Sequence, residues 1–560
     1  MRIVTPAQMR EIEDCSEQFG TSKLRLMENA GRALADMIDS FCRKAENIPP
    51  DEKRIVFLAG TGNNGGDCFA AADILSLLGY KVTVINVGGM PKTMLAQEMM
   101  CRLSDDKVDF IRGFRDEDFD AEMESAELEY MSASADDDDE RLDEIIMSEE
   151  LRGRCIRNAI ERAYVIVDGV FGTGFHGILD DETADIFALK SNAHRIAVDV
   201  ASGGNSSNGT ADPRSFRADE TITFGFMKSG MSQYPLKALC GEITVVDIGI
   251  PNKAAAIIDG QREYSLTGHA ELASFPFDRR ADSHKGTFGT VLVIAGSSSM
   301  RGAAAMCALG ALRSGAGLVK IASVEKCIDT ASVLVPEATY LELECDDYGY
   351  MLYDSSLPAL KEAMAKADAI VIGCGIGVTT DTRELTKFVV ENAEVPVILD
   401  ADGINCIAGD IDILMKRQSD IILTPHPAEM ARISGCETAD IVANRFDAAE
   451  VFAERFGAVI VLKGAGTVIS DIRRTAVNHT GNPGMSVGGS GDVLSGVIGA
   501  IAAQGITPFE SACAGVYIHG LAGDIAAEKL GQESLLPRDI IGAVPEAMKK
   551  IRQQVKNRDI

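Results

Sequence analysis

Asp492 closes the run Gly481-Asn482-Pro483-Gly484-Met485-Ser486-Val487-Gly488-Gly489-Ser490-Gly491-Asp492, which passes directly into an apolar helical stretch over 493–503. Glycines let backbone N–H groups approach an anion, and a helix start turns the positive end of its dipole toward it, so the run predicts a phosphate cradle. A carboxylate beside a phosphate is costly unless it has a task. It can take a proton from a hydroxyl that attacks phosphorus, or bind the metal that travels with a nucleotide. Capping of the helix is the plainer alternative. Upstream, Lys463-Gly464-Ala465-Gly466-Thr467 follows a strand pattern at 459–462 and offers phosphate a point charge beside small residues on which a nucleotide can lie. Neither loop is a P-loop, because Gly-x4-Gly-Lys-[Ser/Thr] is absent. His426, between Pro425 and Pro427, is held on a rigid turn and is expected to contact substrate.

A second set of groups lies in the first half. Gly60-Thr61-Gly62-Asn63-Asn64-Gly65-Gly66-Asp67 follows a strand pattern and opens a helix, with Gly60, Gly62 and Gly65 in dinucleotide-fingerprint spacing. The next strand ends in Asn86-Val87-Gly88-Gly89, without the acidic residue that would hold a ribose, which argues against ordinary hydride transfer. Asp168 and Asp199 head later strand ends, where open parallel sheets put their ligands. With Asn64 and Ser202 they can hold a cation by oxygen ligands and leave one carboxylate for proton transfer. Local Asx turns are the alternative for both aspartates.

These groups need scaffolding, and the chain supplies it as β/α alternation. Strand patterns at 54–59, 82–87, 164–170, 196–200, 221–224 and 243–248 alternate with helical ones, predicting a largely parallel sheet. Gly249-Ile250-Pro251 breaks the pattern, and the stretch to about 283 has no period, which places a boundary near residue 255. Strands are then expected at 289–294, 318–321, 369–372, 395–399, 421–423 and 459–462, with helices at 302–313, 381–392, 438–456, 490–503 and 509–530. A length of 560 residues with 46% apolar composition and 54 glycines fits two or more compact α/β domains. The net charge of −30 is half local: Asp116 to Glu150 hold 17 Asp and Glu against one Arg, a net −16, and read as a solvated insertion. The remaining acidity argues against a nucleic-acid surface, and no export signal or membrane-length apolar run is present, so a cytoplasmic protein is expected. The 13 cysteines form no Cys-x-x-Cys pair and the 7 histidines no cluster, which predicts neither a zinc site nor a disulfide framework.

Met27-Glu28-Asn29-Ala30-Gly31, Gly62 to Asp67, Asp168 with Phe171-Gly172-Thr173-Gly174, Asp199 with Ser202-Gly203, and Thr223-Phe224-Gly225 with Lys228 resemble, in order, the NAD(P)H-hydrate epimerase domain. The resemblance implies that Asn63, Asn64, Gly65, Gly66, Asp67, the segment Gly172, Thr173, Gly174, Phe175, His176, Gly177, Ile178, and the catalytic Asp199 bind the hydrated nicotinamide nucleotide. It also implies that Asn64, Asp168 and Ser202 coordinate K+. Cys68 departs from the usual glycine and Ala201 from the usual proline.

His284-Lys285-Gly286, Gly296-Ser297, Gly302-Ala303-Ala304, Gly373 to Gly377, His426 to Glu429, Lys463 to Thr467, and Asn478 to Asp492 resemble the NAD(P)H-hydrate dehydratase domain of the ribokinase-like superfamily. By position, Ala303, Gly375, His426 and the catalytic Asp492 would contact the hydrate. Lys463, Gly464, Ala465, Gly466, Thr467 and Gly491 would hold the adenine nucleotide. Cys374 stands where proline is common, Ala428 where glycine is common, and Ser490 where threonine is common.

The implied fold is α/β: a Rossmann-like three-layer αβα domain over 1–255, with the acidic insertion at about 115–150, and a ribokinase-like αβα domain over 270–555. The implied activity is repair of NADHX and NADPHX. The first domain interconverts the R and S hydrates, and the second uses ADP (or ATP) with Mg2+ to dehydrate the S hydrate, releasing AMP and phosphate from ADP. A homo-oligomer without nucleic-acid or membrane partners is expected. A vitamin or sugar kinase of the same superfamily leaves the first 250 residues without a purpose, and a nucleotide-binding scaffold is the reading from another class.

Overall fold

The computed structural model describes residues 1–45, 47–103, 107–112, 151–268 and 279–556; the acidic insertion at about 115–150 lies outside them. The chain divides into two compact units, Arg2–Gln261 and Arg262–Ile560.

In the first unit, β1 (Arg2–Val4) pairs in parallel with β8 (Met227–Lys228). The main sheet contains β2 (Arg54–Ala59), β3 (Lys81–Asn86), β4 (Val108–Arg112), β5 (Val165–Gly169), β6 (His194–Val198), β7 (Glu220–Phe224) and β9 (Glu242–Val246). Its order is β4-β3-β2-β5-β6-β7-β9, parallel throughout. β2 is apolar and buried from Ile55 to Ala59, and β5 is buried along its whole length, as expected of strands covered on both faces. The helix Lys23–Arg43 starts where the Ser22 hydroxyl accepts from Arg25 N–H at 3.2 Å, and buries Leu26, Met27, Ala30, Leu34 and Ile38 against the sheet core. Connections leave β2 toward β3 on one side and β5 toward β6 on the other. The crevice for a ligand therefore opens at the carboxyl ends of β2 and β5.

The second unit strings together β10 (Glu263–Leu266), β11 (Thr290–Ile294), β12 (Leu318–Ser323), β13 (Thr339–Glu342), β14 (Ala369–Ile372), β15 (Val397–Leu399), β16 (Ile421–Leu423), β17 (Val459–Leu462), β18 (Val468–Ser470) and β19 (Arg474–Val477). They are ordered β13-β12-β11-β14-β15-β16-β17-β18-β19-β10, antiparallel only across β17-β18 and β18-β19. The switch in winding falls between β11 and β14, beside Gly296 and Gly373. The helix Ser490–Ala503 is buried at every position from Val493 onward, so it runs apolar on all sides through the unit. The helices Pro508–Leu530 and Pro537–Lys556 close over it in one cluster.

Two stretches differ from their sequence pattern. The stretch 255–283, which carries no period, contains β10, paired with β19 and short enough to show no alternation. The helical pattern at 438–456 is two helices, Thr438–Ala443 and Arg445–Phe456, because Asn444 adopts φ −132° and ψ 58°. That break lets Arg445 donate to the carbonyls of Leu462, at 2.8 Å, and Gly466. Among the described residues no helix is long and apolar enough to cross a membrane, and every cysteine is a free thiol.

Candidate active sites

In the second unit the carboxyl ends of the parallel strands gather a charged chain of side chains. Asp400, directly after β15, is buried; its Oδ1 accepts from Lys463 Nζ at 2.7 Å and its Oδ2 from the Ser495 hydroxyl at 2.7 Å. Burial works to raise the Asp400 carboxyl, but Lys463 overrides it and the result lies below the usual range. Lys463 also lies 3.9 Å from Glu429, and Glu429 accepts from the His426 backbone N–H at 2.8 Å. His426 caps the helix Pro427–Ser434, with Nδ1 accepting from Ala428 and Glu429 N–H, while its ring is half exposed. It is a surface-facing turn residue, not a core one.

Asp492 sits in the first turn of the helix Ser490–Ala503, and no hydrogen bond from that helix's own N–H groups reaches its carboxylate among the described residues. The capping alternative is therefore not the one adopted. The turn before it is left-handed at Gly489, φ 96°, a backbone that glycine adopts without strain. Burial, reinforced by the charge of Asp400, pushes the Asp492 carboxyl up to about 7. Gly491 faces the same groups: a Cβ there would lie 3.5 Å from Lys463 Nζ. The loop Lys463–Thr467 is the turn of the β17-β18 hairpin, closed by Thr467, whose hydroxyl donates to Gly464 O at 2.9 Å. Gly375, at φ 67°, packs on Ala303, and an added Cβ would come within 3.0 Å of the Ala303 methyl. The structure thus joins Asp492, Gly491, Lys463 and His426 through Asp400 and Glu429, and separately joins Gly375 to Ala303. Ala465 is exposed with no partner that ties it to this chain.

In the first unit, Asp168 is fully buried at the end of β5 and accepts from Ser202 N–H at 2.8 Å and the Ser202 hydroxyl at 2.6 Å. It also accepts from Val170 N–H at 3.2 Å, the Asx turn, so it serves both arrangements. Burial raises its carboxyl to about 6 against these donors. Asn64 Nδ2 donates to the carbonyls of Phe171 and Val198, each at 3.0 Å, and Phe171 N–H donates to the Ser202 hydroxyl at 2.8 Å. Asn64, Asp168, Ser202 and two carbonyls thus form one oxygen-rich knot at the β2/β5 crevice. Asp199 lies beside it with left-handed backbone at φ 63°, accepting from Thr223 Oγ1, Phe224 N–H and the buried Lys228 ammonium. Burial and then the charge of Asp199 hold the Asp67 carboxyl well above its ordinary value, and Glu13 is raised for the same two reasons. Cys68 is buried under the glycine loop; its sulfur occupies the space a side chain at Gly169 would need, so the thiol does not crowd the loop. Gly172 abuts Asn64, Thr173 O accepts from the Ser206 hydroxyl, and Phe175 packs on Phe171, whereas Asn63, Gly174, His176, Gly177 and Ile178 are exposed.

Sequence reading left Asp400, Glu429 and Ser495 without roles, and likewise Lys228, Thr223 and Glu13. Asp400 carries one local signal, the Asp400-Ala401-Asp402-Gly403 string at a strand end. Its neighbour Ala401, at φ 49° and ψ −117°, is one of two non-glycine residues with positive φ among the described residues; the other is Asp199. Both lie at strand ends in the two sites, where backbone strain tends to collect.

Two family models match the chain: one described as NAD(P)H-hydrate dehydratase over residues 291–546, the other as YjeF-related protein N-terminus over residues 23–230. The chain is 33% identical over 561 residues to the bifunctional NAD(P)H-hydrate repair enzyme Nnr of Moorella thermoacetica, covering 99% of this chain and 98% of that protein. The Escherichia coli K12 protein of the same name is 30% identical, over 97% and 94% of the two chains. Among solved structures, the ADP/ATP-dependent NAD(P)H-hydrate dehydratase of Bacillus subtilis, co-crystallised with ATP/Mg2+, is 31% identical, with a TM-score of 0.44 over 51% of this chain and 98% of that one.

Proposed function

The chain belongs to the family of bifunctional NAD(P)H-hydrate repair enzymes, and from that premise we propose how its two sites divide the work. It is an α/β enzyme with an epimerase half and a dehydratase half, acting on the hydrates of NADH and NADPH with an adenine nucleotide. In a hydrate, hydroxyl has added to a ring carbon beside nitrogen, and hydroxide is a poor leaving group. In the second unit, Asp492 takes the proton of that hydroxyl and the oxygen attacks the terminal phosphorus of ADP. The P–O bond to AMP breaks, phosphate leaves the ring carbon with the bonding pair, and the adjacent ring carbon releases its proton to solvent so that the C–H pair restores the ring double bond. Lys463 and the N–H groups at the start of helix Ser490–Ala503 face the charge that develops on the transferred group. Oxygen ligands suit Mg2+, and when bound it would neutralise nucleotide charge beside Asp400 and Asp492. His426, Gly375 and Ala303 line the hydrate side, while Gly464 to Thr467 hold adenine nucleotide.

In the first unit, Asp67, whose carboxyl is raised by burial and then by the charge of Asp199, donates a proton to the departing hydroxyl, while Asp199, paired with Lys228, accepts a proton as water returns to the opposite face. Asn64, Asp168 and Ser202, with the Phe171 and Val198 carbonyls, would hold K+ by oxygen atoms once the Asn64 amide, whose Nδ2 donates to both carbonyls, turns its Oδ1 inward. When bound there, K+ would supply positive charge for the nucleotide's phosphates.

The observation that carries the dehydratase half is Asp492: a carboxyl raised to about 7, uncapped, at the mouth of the glycine-rich helix start. Mixing both hydrate epimers with the full chain, ADP and Mg2+ should return the absorbance of the reduced nicotinamide. Absence of recovery with either ADP or ATP refutes this reading.

A further inference from the structure

Cys374 replaces a residue that is commonly proline in the resembled domain, and its thiol is buried beside the phosphoryl-transfer carboxylate. Cys374, Asp400 and Asp492 each offer one donor atom, and those three atoms lie within 4.8 Å of one another. They come from the loop after β14, the end of β15 and the first turn of helix Ser490–Ala503. Two of the three are braced. The Cys374 carbonyl accepts from Gly296 N–H at 2.7 Å, Asp400 is tied to Lys463 and Ser495, and the Cys374 thiol points at Asp400 Oδ2 across 3.8 Å. Donors bonded at about 2.0–2.3 Å in a tetrahedron sit about 3.3–3.8 Å apart, so the three atoms must close by up to about 1 Å, within reach of side-chain rotation.

The donor types select among cations. Mg2+ prefers oxygen and keeps its water, whereas a thiolate favours Zn2+, Co2+ and similar borderline or soft ions. Charge selects as well, because one thiolate and two carboxylates balance a divalent ion together with the neighbouring Lys463 ammonium. We propose that Cys374, Asp400 and Asp492 form a binding site for a thiophilic divalent cation, typified by Zn2+, and that its occupation stops dehydration by withdrawing Asp492 from the substrate hydroxyl. On binding, the S–H bond of Cys374 breaks, the proton passes to solvent, and the sulfur lone pair bonds the metal with no change of oxidation state. A fourth position remains for water.

The test has two arms. In the first, dehydration of the S hydrate is followed at saturating ADP and Mg2+ while Zn2+ is added. Cys374→Ser should raise the half-inhibitory Zn2+ concentration at least about tenfold relative to its own uninhibited rate, since loss of a ligand costs no less than loss of a ligand's support. In the second, the full chain is titrated with Co2+ without substrate, and the near-ultraviolet thiolate-to-cobalt charge-transfer band is read as the difference between wild type and Cys374→Ser. Asp492→Asn, which keeps the thiol, should weaken the Co2+ midpoint at least about tenfold and covers the case in which Cys374→Ser does not fold. The inhibition arm rests on the dehydratase reading and the cobalt arm does not, so a Cys374-dependent band in an inactive protein supports the site while sinking the activity. Equal Zn2+ inhibition, or an equal cobalt band and midpoint, in wild type and variants overturns the proposal.

Discussion

Replacing Asp400 with Asn should move the alkaline-going rise of the dehydratase profile to lower pH. A general base works only when ionised, so activity climbs as pH passes its pKa, which is about 7 for Asp492. Burial is the first cause of that elevation and the charge of Asp400 the second. The two carboxylates have oxygens within 4.8 Å. At an effective dielectric constant near 20 and that separation their repulsion is about 3.5 kcal/mol, or about 2.5 pH units, before any offset by neighbouring charge. Lys463, 2.7 Å from Asp400, already offsets part of this. In the variant that ammonium loses its nearer partner and is shared between Glu429, 3.9 Å away, and Asp492, which pushes in the same direction. The expected shift is therefore downward by at least about one unit, leaving the rise near or below about pH 6. Asn keeps an oxygen for the Ser495 hydroxyl, and Lys463 stays 3.9 Å from Glu429, so the stability cost is expected to fall below the ~3–5 kcal/mol of a fully stranded charge, checked by thermal melting. The assay is kcat/KM for recovery of reduced-nicotinamide absorbance at low hydrate concentration across pH 5–9. The midpoint of the rise carries the result and its height does not, so partial loss of folded enzyme leaves it readable. A midpoint that stays at about 7 or moves up refutes the electrostatic account of Asp492.

Asp492→Asn should lower kcat of dehydration by about 10²–10⁴ while ADP affinity, read by calorimetry, stays within about threefold. Asp199→Asn should remove a comparable factor from conversion of the R hydrate, measured with chirally resolved substrate, and leave S-hydrate dehydration intact. Exchanging K+ for tetramethylammonium should depress epimerisation at least about tenfold without affecting the dehydratase half, with each half assayed alone. Gly375→Ala should cost about 1–3 kcal/mol in a denaturant melt and raise the KM for hydrate, because the new Cβ meets Met300 and Ala303 Cβ atoms at 2.9 and 3.0 Å on backbone at φ 67°.

The α/β alternation and the strings around Asn64, Lys463, His426 and Asp492 were legible because each is local: a strand period, a glycine run, a turn between prolines. The strand at 421–423 and the helix at 490–503 coincide with their apolar patterns for that reason. What could not be read is convergence. Cys374, Asp400 and Asp492 are far apart in sequence, and only adjacency of parallel strand ends brings their donors together. The same holds for Lys228, which reaches Asp199 from a two-residue strand with no pattern of its own. Short strands such as β10 and β18, of four and three residues, hold too few positions to show alternation. The split at Asn444 escaped because apolar spacing continues in phase across it, while the backbone does not.

Ala401 bears on how this enzyme would respond to engineering. Glycine would tolerate its φ of 49° and ψ of −117° freely, so Ala401→Gly would release strain of about 1–3 kcal/mol and give back about 1 kcal/mol in chain entropy. A screen for heat resistance alone would therefore favour the change. The same change would slacken the hinge that aims Asp400 at Lys463, so durability and turnover would be selected in opposite directions at this one residue.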